Sequence, residues 1–109
     1  MEVALGIDVG GTSIKAGVFS TEGELLAECS VRTPALDNEA AYAVVTEGLT
    51  GLLSDNGFAP DDIVALGLDV PAPVDSEGRL GFVPNMTLDG DGLRGAIGLA
   101  FPFATIAFV

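Results

Sequence analysis

Ile7-Asp8-Val9-Gly10-Gly11-Thr12-Ser13-Ile14-Lys15 is the stretch on which the reading of this 109-residue chain turns. Before it, Glu2 to Asp8 is apolar at Val3, Leu5 and Ile7. It is short and closely bounded by the glycine pair, which predicts a buried strand ending at a carboxylate. After the glycines, Ser13 to Ser20 carries Ile14, Ala16 and Val18 on one face and predicts a second strand. Thr21-Glu22-Gly23 then turns the chain into a third strand, Glu24 to Thr33, completing an antiparallel meander.

The turn itself has the parts that bind phosphate. Gly10 and Gly11 can take positive φ and let a polyphosphate approach bare backbone N–H groups, and the Thr12 hydroxyl can donate one more hydrogen bond. Asp8, at the strand end, suits the hydrated Mg²⁺ that accompanies ATP. Lys15 either lies near the phosphates or is simply solvated on its strand. The stretch is neither a Walker A loop nor the Gly-x-Gly-x-x-Gly dinucleotide turn. Gly-Gly is also common in plain β-hairpins, so these residues alone leave a purely structural turn open.

Outward from the meander, Pro34 stops the third strand. Asp37 or Asn38 can then cap a helix running to about Asp55, with Ala41, Val45, Leu49, Leu52 and Leu53 along one face. Asn56-Gly57 closes that helix. Pro60-Asp61-Asp62, where the acidic pair is expected to cap or be solvated, leads into Ile63 to Val70, an apolar run typical of a parallel strand reached by a helical crossover. Pro71-Ala72-Pro73 forbids regular pairing, and Asp75 to Gly78 turns into a short strand near Leu80 to Val83. Asp91 can cap a helix through Leu93, Ala96, Ile97 and Ala100, and Phe103 to Val109 is strand-like. The order βββαβαβ predicts one α/β module, a mixed five-stranded sheet with helices on its faces.

The bulk composition narrows the partners. Sixteen acidic residues against four basic ones give a net charge of -12, which repels nucleic acid and anionic membrane. The longest uncharged stretch, residues 95–109, contains Pro102 and is shorter than the roughly 20 apolar residues of a membrane helix. No basic, apolar leader opens the chain, and a cytoplasmic location is expected. The one cysteine, Cys29, reads as a small apolar filler, and there is no histidine to build an ordinary zinc site.

Asp-x-Gly-Gly-Thr-x-Ile-Lys between two apolar strands resembles the phosphate hairpin of the ROK family, within the ribonuclease H-like, actin-like ATPase superfamily. The resemblance continues through Leu66-Gly67-Leu68-Asp69-Val70-Pro71-Ala72-Pro73-Val74-Asp75, which is similar to the family's Gly-x-Gly-x-Pro-Gly-Pro-Val-Asp strand and loop. It then reaches Pro84-Asn85 and a helix near Leu93-Arg94, and so covers essentially residues 1–109.

The resemblance implies an ATP-dependent kinase that phosphorylates a hexose, most plausibly glucose. In it Asp8 positions Mg²⁺, Gly10, Gly11, Thr12 and Lys15 hold phosphate, and Pro71, Ala72, Pro73, Val74 and Asn85 hold sugar. Asn85 in Pro-Asn is equally ordinary turn chemistry. The family's catalytic base lies in an Asn-Asp motif after the last strand, expected just beyond Val109. These residues therefore correspond to an N-terminal domain without the base, the second domain or the family's zinc motif, and by themselves are expected to be inactive.

Two departures stand out. Ala72 replaces a glycine of the sugar loop, which puts a methyl group against the substrate. Asp69 replaces the second glycine of its strand and is either a ligand-facing carboxylate or a strand-end charge. The family also includes sugar-sensing transcriptional regulators that place a DNA-binding module ahead of the hairpin; the start at Met1 and the acidic charge speak against that alternative. A homo-oligomer is expected, with Phe103 to Val109 exposing apolar surface.

Overall fold

The computed structural model describes residues 1–70 and 90–108. The strands are β1 (Val3–Val9), β2 (Ser13–Ser20), β3 (Leu25–Arg32), β4 (Ile63–Asp69) and β5 (Thr105–Phe108), and the helices are α1 (Glu39–Asp55) and α2 (Gly90–Ala100). They follow the order expected from the sequence. The loop after Val70, the short strand expected near Leu80 to Val83, and residues Pro71, Ala72, Pro73, Val74 and Asn85 lie outside the described residues.

The five strands form one sheet in the order β3-β2-β1-β4-β5. The meander β1-β2-β3 is antiparallel, whereas β4 joins β1, and β5 joins β4, in parallel. Parallel neighbours need a crossover, and α1 supplies the one between β3 and β4. Between Val18 and Phe19 the β2–β3 ladder slips: Val18 faces Ala27 while Phe19 faces Leu25, leaving Leu26 as the extra residue of a bulge.

Alternation along the strands decides which face is covered. Val3, Leu5, Ile7 and Val9 of β1, Ile14, Ala16 and Val18 of β2, and Leu66 and Leu68 of β4 are buried in one cluster with side chains from both helices. Helix α1 contributes Ala41, Tyr42, Val45, Leu49, Leu52 and Leu53, and α2 contributes Leu93 and Ile97, followed by Phe101. Since α1 and α2 also touch each other, both described helices cover the same face of the sheet. Each fully buried aliphatic or aromatic side chain of this layer contributes about 1.5–3 kcal/mol of transfer free energy.

The helix ends are set locally. The Asn38 side chain accepts a hydrogen bond from the Ala41 amide at 3.0 Å, an N-cap contributing about 1 kcal/mol. At the other end Asn56 Nδ2 donates to the Leu52 carbonyl at 2.8 Å, and Gly57 takes φ of 79°, the left-handed conformation that ends many helices. A 3-10 turn, Pro60–Asp62, then starts β4. There Asp62 Oδ2 accepts from the Ala59 amide at 2.9 Å, a bond that holds its carboxyl below the usual carboxylate range. Capping is thus the use of this acidic pair's second member. No described helix is long and apolar enough to cross a membrane.

Candidate phosphate-binding site

The helix-free face of the sheet is built of small and charged side chains in rows. Gly6 of β1 stands opposite Gly17 of β2 and Gly67 of β4, so three glycines lie abreast across the middle of the sheet. One step further along, Lys15, Asp8 and Asp69 stand abreast in the same way. Register partners point to the same side of a sheet. All three charged residues are exposed, and they edge a cavity of about 730 Å³ floored by the glycines. That volume lies within the range of about 300–1,000 Å³ for small-molecule sites.

The cavity has two unlike ends. Away from the charged row, the Phe19 ring lies across the glycines, so close that a Cβ at Gly17 or Gly6 would come within 3.1 or 3.2 Å of it. Leu25, 47% exposed, stands beside it. Only the Asp8, Lys15 and Asp69 end has the chemistry of a polyphosphate or cation site. Asp69, whose sequence left two uses open, is thereby placed on the open face beside Asp8. Cys29 stands opposite Ala16 and packs against the core on the helix-covered face; it is half-buried, and burial pushes its thiol pKa up. It is a neutral filler, as expected.

Asp8 leads through Val9 into the Gly10–Thr12 turn. The Gly10 amide donates to the Ser13 carbonyl at 3.0 Å and closes the turn. The positive φ expected at Gly10 and Gly11 is not found; among the described residues it occurs at Gly23 and Gly57. Gly10 is required for a different reason: a Cβ there would meet the Ser13 carbonyl oxygen at 2.8 Å, a separation real side chains do not adopt. Around Gly11 no atom lies within 4 Å of such a Cβ, so the backbone is open to a ligand.

Two of the turn's carbonyls are bonded toward β3: Thr33 Oγ1 donates to the Gly10 carbonyl at 2.7 Å, and the Thr33 amide donates to the Thr12 carbonyl at 3.1 Å. The amides of Gly11 and Thr12 and the Thr12 hydroxyl have no partner among the described residues, and both residues are exposed. A short run of free N–H groups on a bare backbone has the donors that an anion needs. Thr33 was not singled out from the sequence. The only signal was its place directly before Pro34, where a strand must end.

Among the described residues no three metal-ligating side chains cluster. Asp8, with Asp69 beside it, offers oxygen donors only, on an open face. That donor set fits Mg²⁺, which keeps most of its waters and is held by one or two carboxylates together with substrate phosphates.

Residues 4–106 match the ROK family. The chain belongs to that family. A glucokinase from Halalkalibacterium halodurans is 29% identical over 74 residues, covering 67% of this chain and 22% of that protein. The ROK hexokinase of Thermus thermophilus matches with a TM-score of 0.76 at 27% identity, over 98% of this chain and 34% of its own. A ROK glucokinase from Streptomyces griseus, solved with glucose and AMPPNP, matches with a TM-score of 0.74 at 26% identity, over 98% of this chain and 32% of its own. A ROK transcriptional regulator homologous to the E. coli MLC protein shares the fold, with a TM-score of 0.75 at 16% identity, over 97% of this chain and 27% of its own. The chain thus spans about a third or less of the length of these ROK relatives.

Proposed function

We propose that this chain is the phosphate-gripping part of an ATP-dependent sugar kinase acting on a hexose, with glucose the first candidate. The observation that carries the reading is the Gly10–Thr12 turn. It leaves two amides and a hydroxyl unpaired on exposed residues, between the strands that carry Asp8 and Lys15. In this reading Gly11 and Thr12 hold phosphate oxygens through their amides, Gly10 keeps the turn tight enough to present them, and Lys15 adds charge. Asp8 holds the magnesium ion through its water shell. When bound, that ion neutralises charge on the phosphates. The similarity to a glucokinase solved with glucose and AMPPNP supports the substrate pair.

Pro71, Ala72, Pro73, Val74 and Asn85 are proposed to hold the sugar on the strength of the family motif alone. The proton of the attacking hydroxyl needs a general base. We assign that role to no residue of Met1–Val109, since the family's Asn-Asp motif does not occur there, and we expect these residues alone to bind without transferring phosphate. The shared fold of the regulator leaves sugar sensing without catalysis as the second reading.

A coupled ADP-release assay on the protein that carries this chain, run with glucose and a panel of hexoses, separates the two. Turnover that falls at least tenfold in Asp8→Asn is the expected result, corresponding to about 1.4 kcal/mol or more of transition-state stabilisation. Absence of turnover with every sugar would sink the kinase reading and leave the sensor.

A further inference from the structure

Two hydrogen bonds tie the phosphate turn to a residue outside it. Thr33 follows the last residue of β3, yet its side chain and its amide both reach back to the first hairpin, at 2.7 Å to the Gly10 carbonyl and 3.1 Å to the Thr12 carbonyl. Those carbonyls flank Gly11. The first bond fixes the peptide plane between Gly10 and Gly11 and the second the plane between Thr12 and Ser13, since each peptide unit is rigid and its C=O and N–H point in opposite directions. The Gly10 carbonyl belongs to the same plane as the Gly11 amide. The Thr12 carbonyl belongs to the plane of the Ser13 amide, one residue beyond the second free N–H. With its carbonyls drawn toward β3, the Gly11 amide faces the other way, toward the open side.

Left to itself, the turn has little to hold it. It has one internal backbone bond, from the Gly10 amide to the Ser13 carbonyl, and glycine is the residue with the most backbone freedom to lose. An unpinned Gly10-Gly11 peptide can rotate and present its carbonyl, rather than its N–H, to an incoming phosphate. Carbonyl oxygens repel phosphate oxygens. The orientation of this single peptide therefore separates a turn that binds anions from one that does not.

We propose that Thr33 is a positioning residue for phosphate binding: its hydroxyl holds the Gly11 amide outward, and its amide anchors the far end of the turn at Thr12, before any ligand arrives. This deepens the phosphate-grip reading of the turn and rests on it. Thr33 does not touch the nucleotide. It acts through Gly10 and Thr12 by removing the conformational cost of ordering them on binding. Being half-buried, its hydroxyl bond is shielded from water in a way a surface threonine's is not.

The test uses this chain, MgATP as the probe, and two variants, Thr33→Val and Thr33→Ser. Valine keeps the shape and the backbone amide while deleting the hydroxyl; serine restores the hydroxyl. In the unsubstituted chain MgATP is expected to shift the amide resonances of Gly11 and Thr12. Thr33→Val is expected to weaken that titration about tenfold, the equivalent of one lost hydrogen bond of preorganisation, and Thr33→Ser to return it to within about twofold. Without ligand, Thr33→Val should speed hydrogen exchange at the Gly10 amide while leaving α1 and β4 amides unchanged, which a general loss of stability would not do.

The outcomes separate the two ideas. If MgATP moves neither the Gly11 nor the Thr12 amide in the unsubstituted chain, the phosphate-grip reading falls and this inference with it. If it moves them equally well in Thr33→Val, or if Gly10 exchange in that variant is unchanged, the grip stands and the Thr33 hydroxyl has no part in it, which overturns this inference. Failure of Thr33→Ser to recover binding also overturns the role given to the hydroxyl.

Discussion

The two turns at the ends of β2 are made of similar residues and behave oppositely. At the Ser20–Glu24 end, the Ser20 amide donates to the Glu24 carbonyl at 2.8 Å, and the Gly23 amide returns to the Ser20 carbonyl at 3.0 Å. Ser20 Oγ accepts from the Glu22 and Glu24 amides, and Gly23 takes φ of 87°. The Ser20, Glu22, Gly23 and Glu24 amides of this turn are thus bonded within it. At the Gly10–Thr12 end no positive φ occurs, two amides stay free, and the fastening comes from Thr33. The first turn uses most of its N–H groups internally; the second leaves two unpaired and takes its support from outside. An internally bonded hairpin thus stands at the other end of the same strand.

The comparison is easiest to break at Gly10. Alanine there places a methyl 2.8 Å from the Ser13 carbonyl oxygen, and overpacking of that kind costs about 1–3 kcal/mol. Gly10→Ala should therefore lower the melting temperature and weaken MgATP binding together. Gly11→Ala, which meets no atom within 4 Å, should weaken MgATP binding while shifting stability by no more than about 0.5 kcal/mol. Equal melting temperatures for the two variants would mean that the tight approach at Gly10 carries no weight.

Gly23 sharpens the same contrast with a smaller effect. Nothing crowds a Cβ there, yet the positive φ makes any side chain unfavourable by about 1–2 kcal/mol. Denaturant unfolding of Gly23→Ala should show that loss, with the Gly11 and Thr12 response to MgATP unaltered. A matching loss of binding would show that the two turns are not independent.

Much of this arrangement was legible in the residues. Apolar alternation at Val3, Leu5 and Ile7 and at Ile14, Ala16 and Val18 gave the meander because a half-covered sheet needs a two-residue period. Asn38 and Asn56-Gly57 bounded α1 because caps act within a few residues. What the sequence withheld depends on contacts between distant segments. The placing of Gly67 beside Gly6, and of Asp69 beside Asp8, follows from the β1–β4 register, which shifts between Val3 and Ala4 and has no local signature. Thr33 looked like the last residue of a strand because its partners are two strands away in the chain. Gly10 was read for its freedom of φ when the structure uses its lack of a side chain.

The bulge at Leu26 sets the phase of everything after it. Were Leu26 paired with Val18 in an unbroken ladder, each later residue of β3 would oppose a neighbour one place nearer the start of β2. Ala27, Cys29 and Val31 would turn away from the helices, and Glu28, Ser30 and Arg32 would turn beneath them, since a one-residue slip reverses a strand's faces. The same slip would bring Arg32, rather than Thr33, to the Thr12 carbonyl. The meander thus contains one residue more than its ladder uses. By setting that surplus aside at a solvent-facing leucine, the chain delivers a hydroxyl to the Gly10 carbonyl at the far end of the sheet.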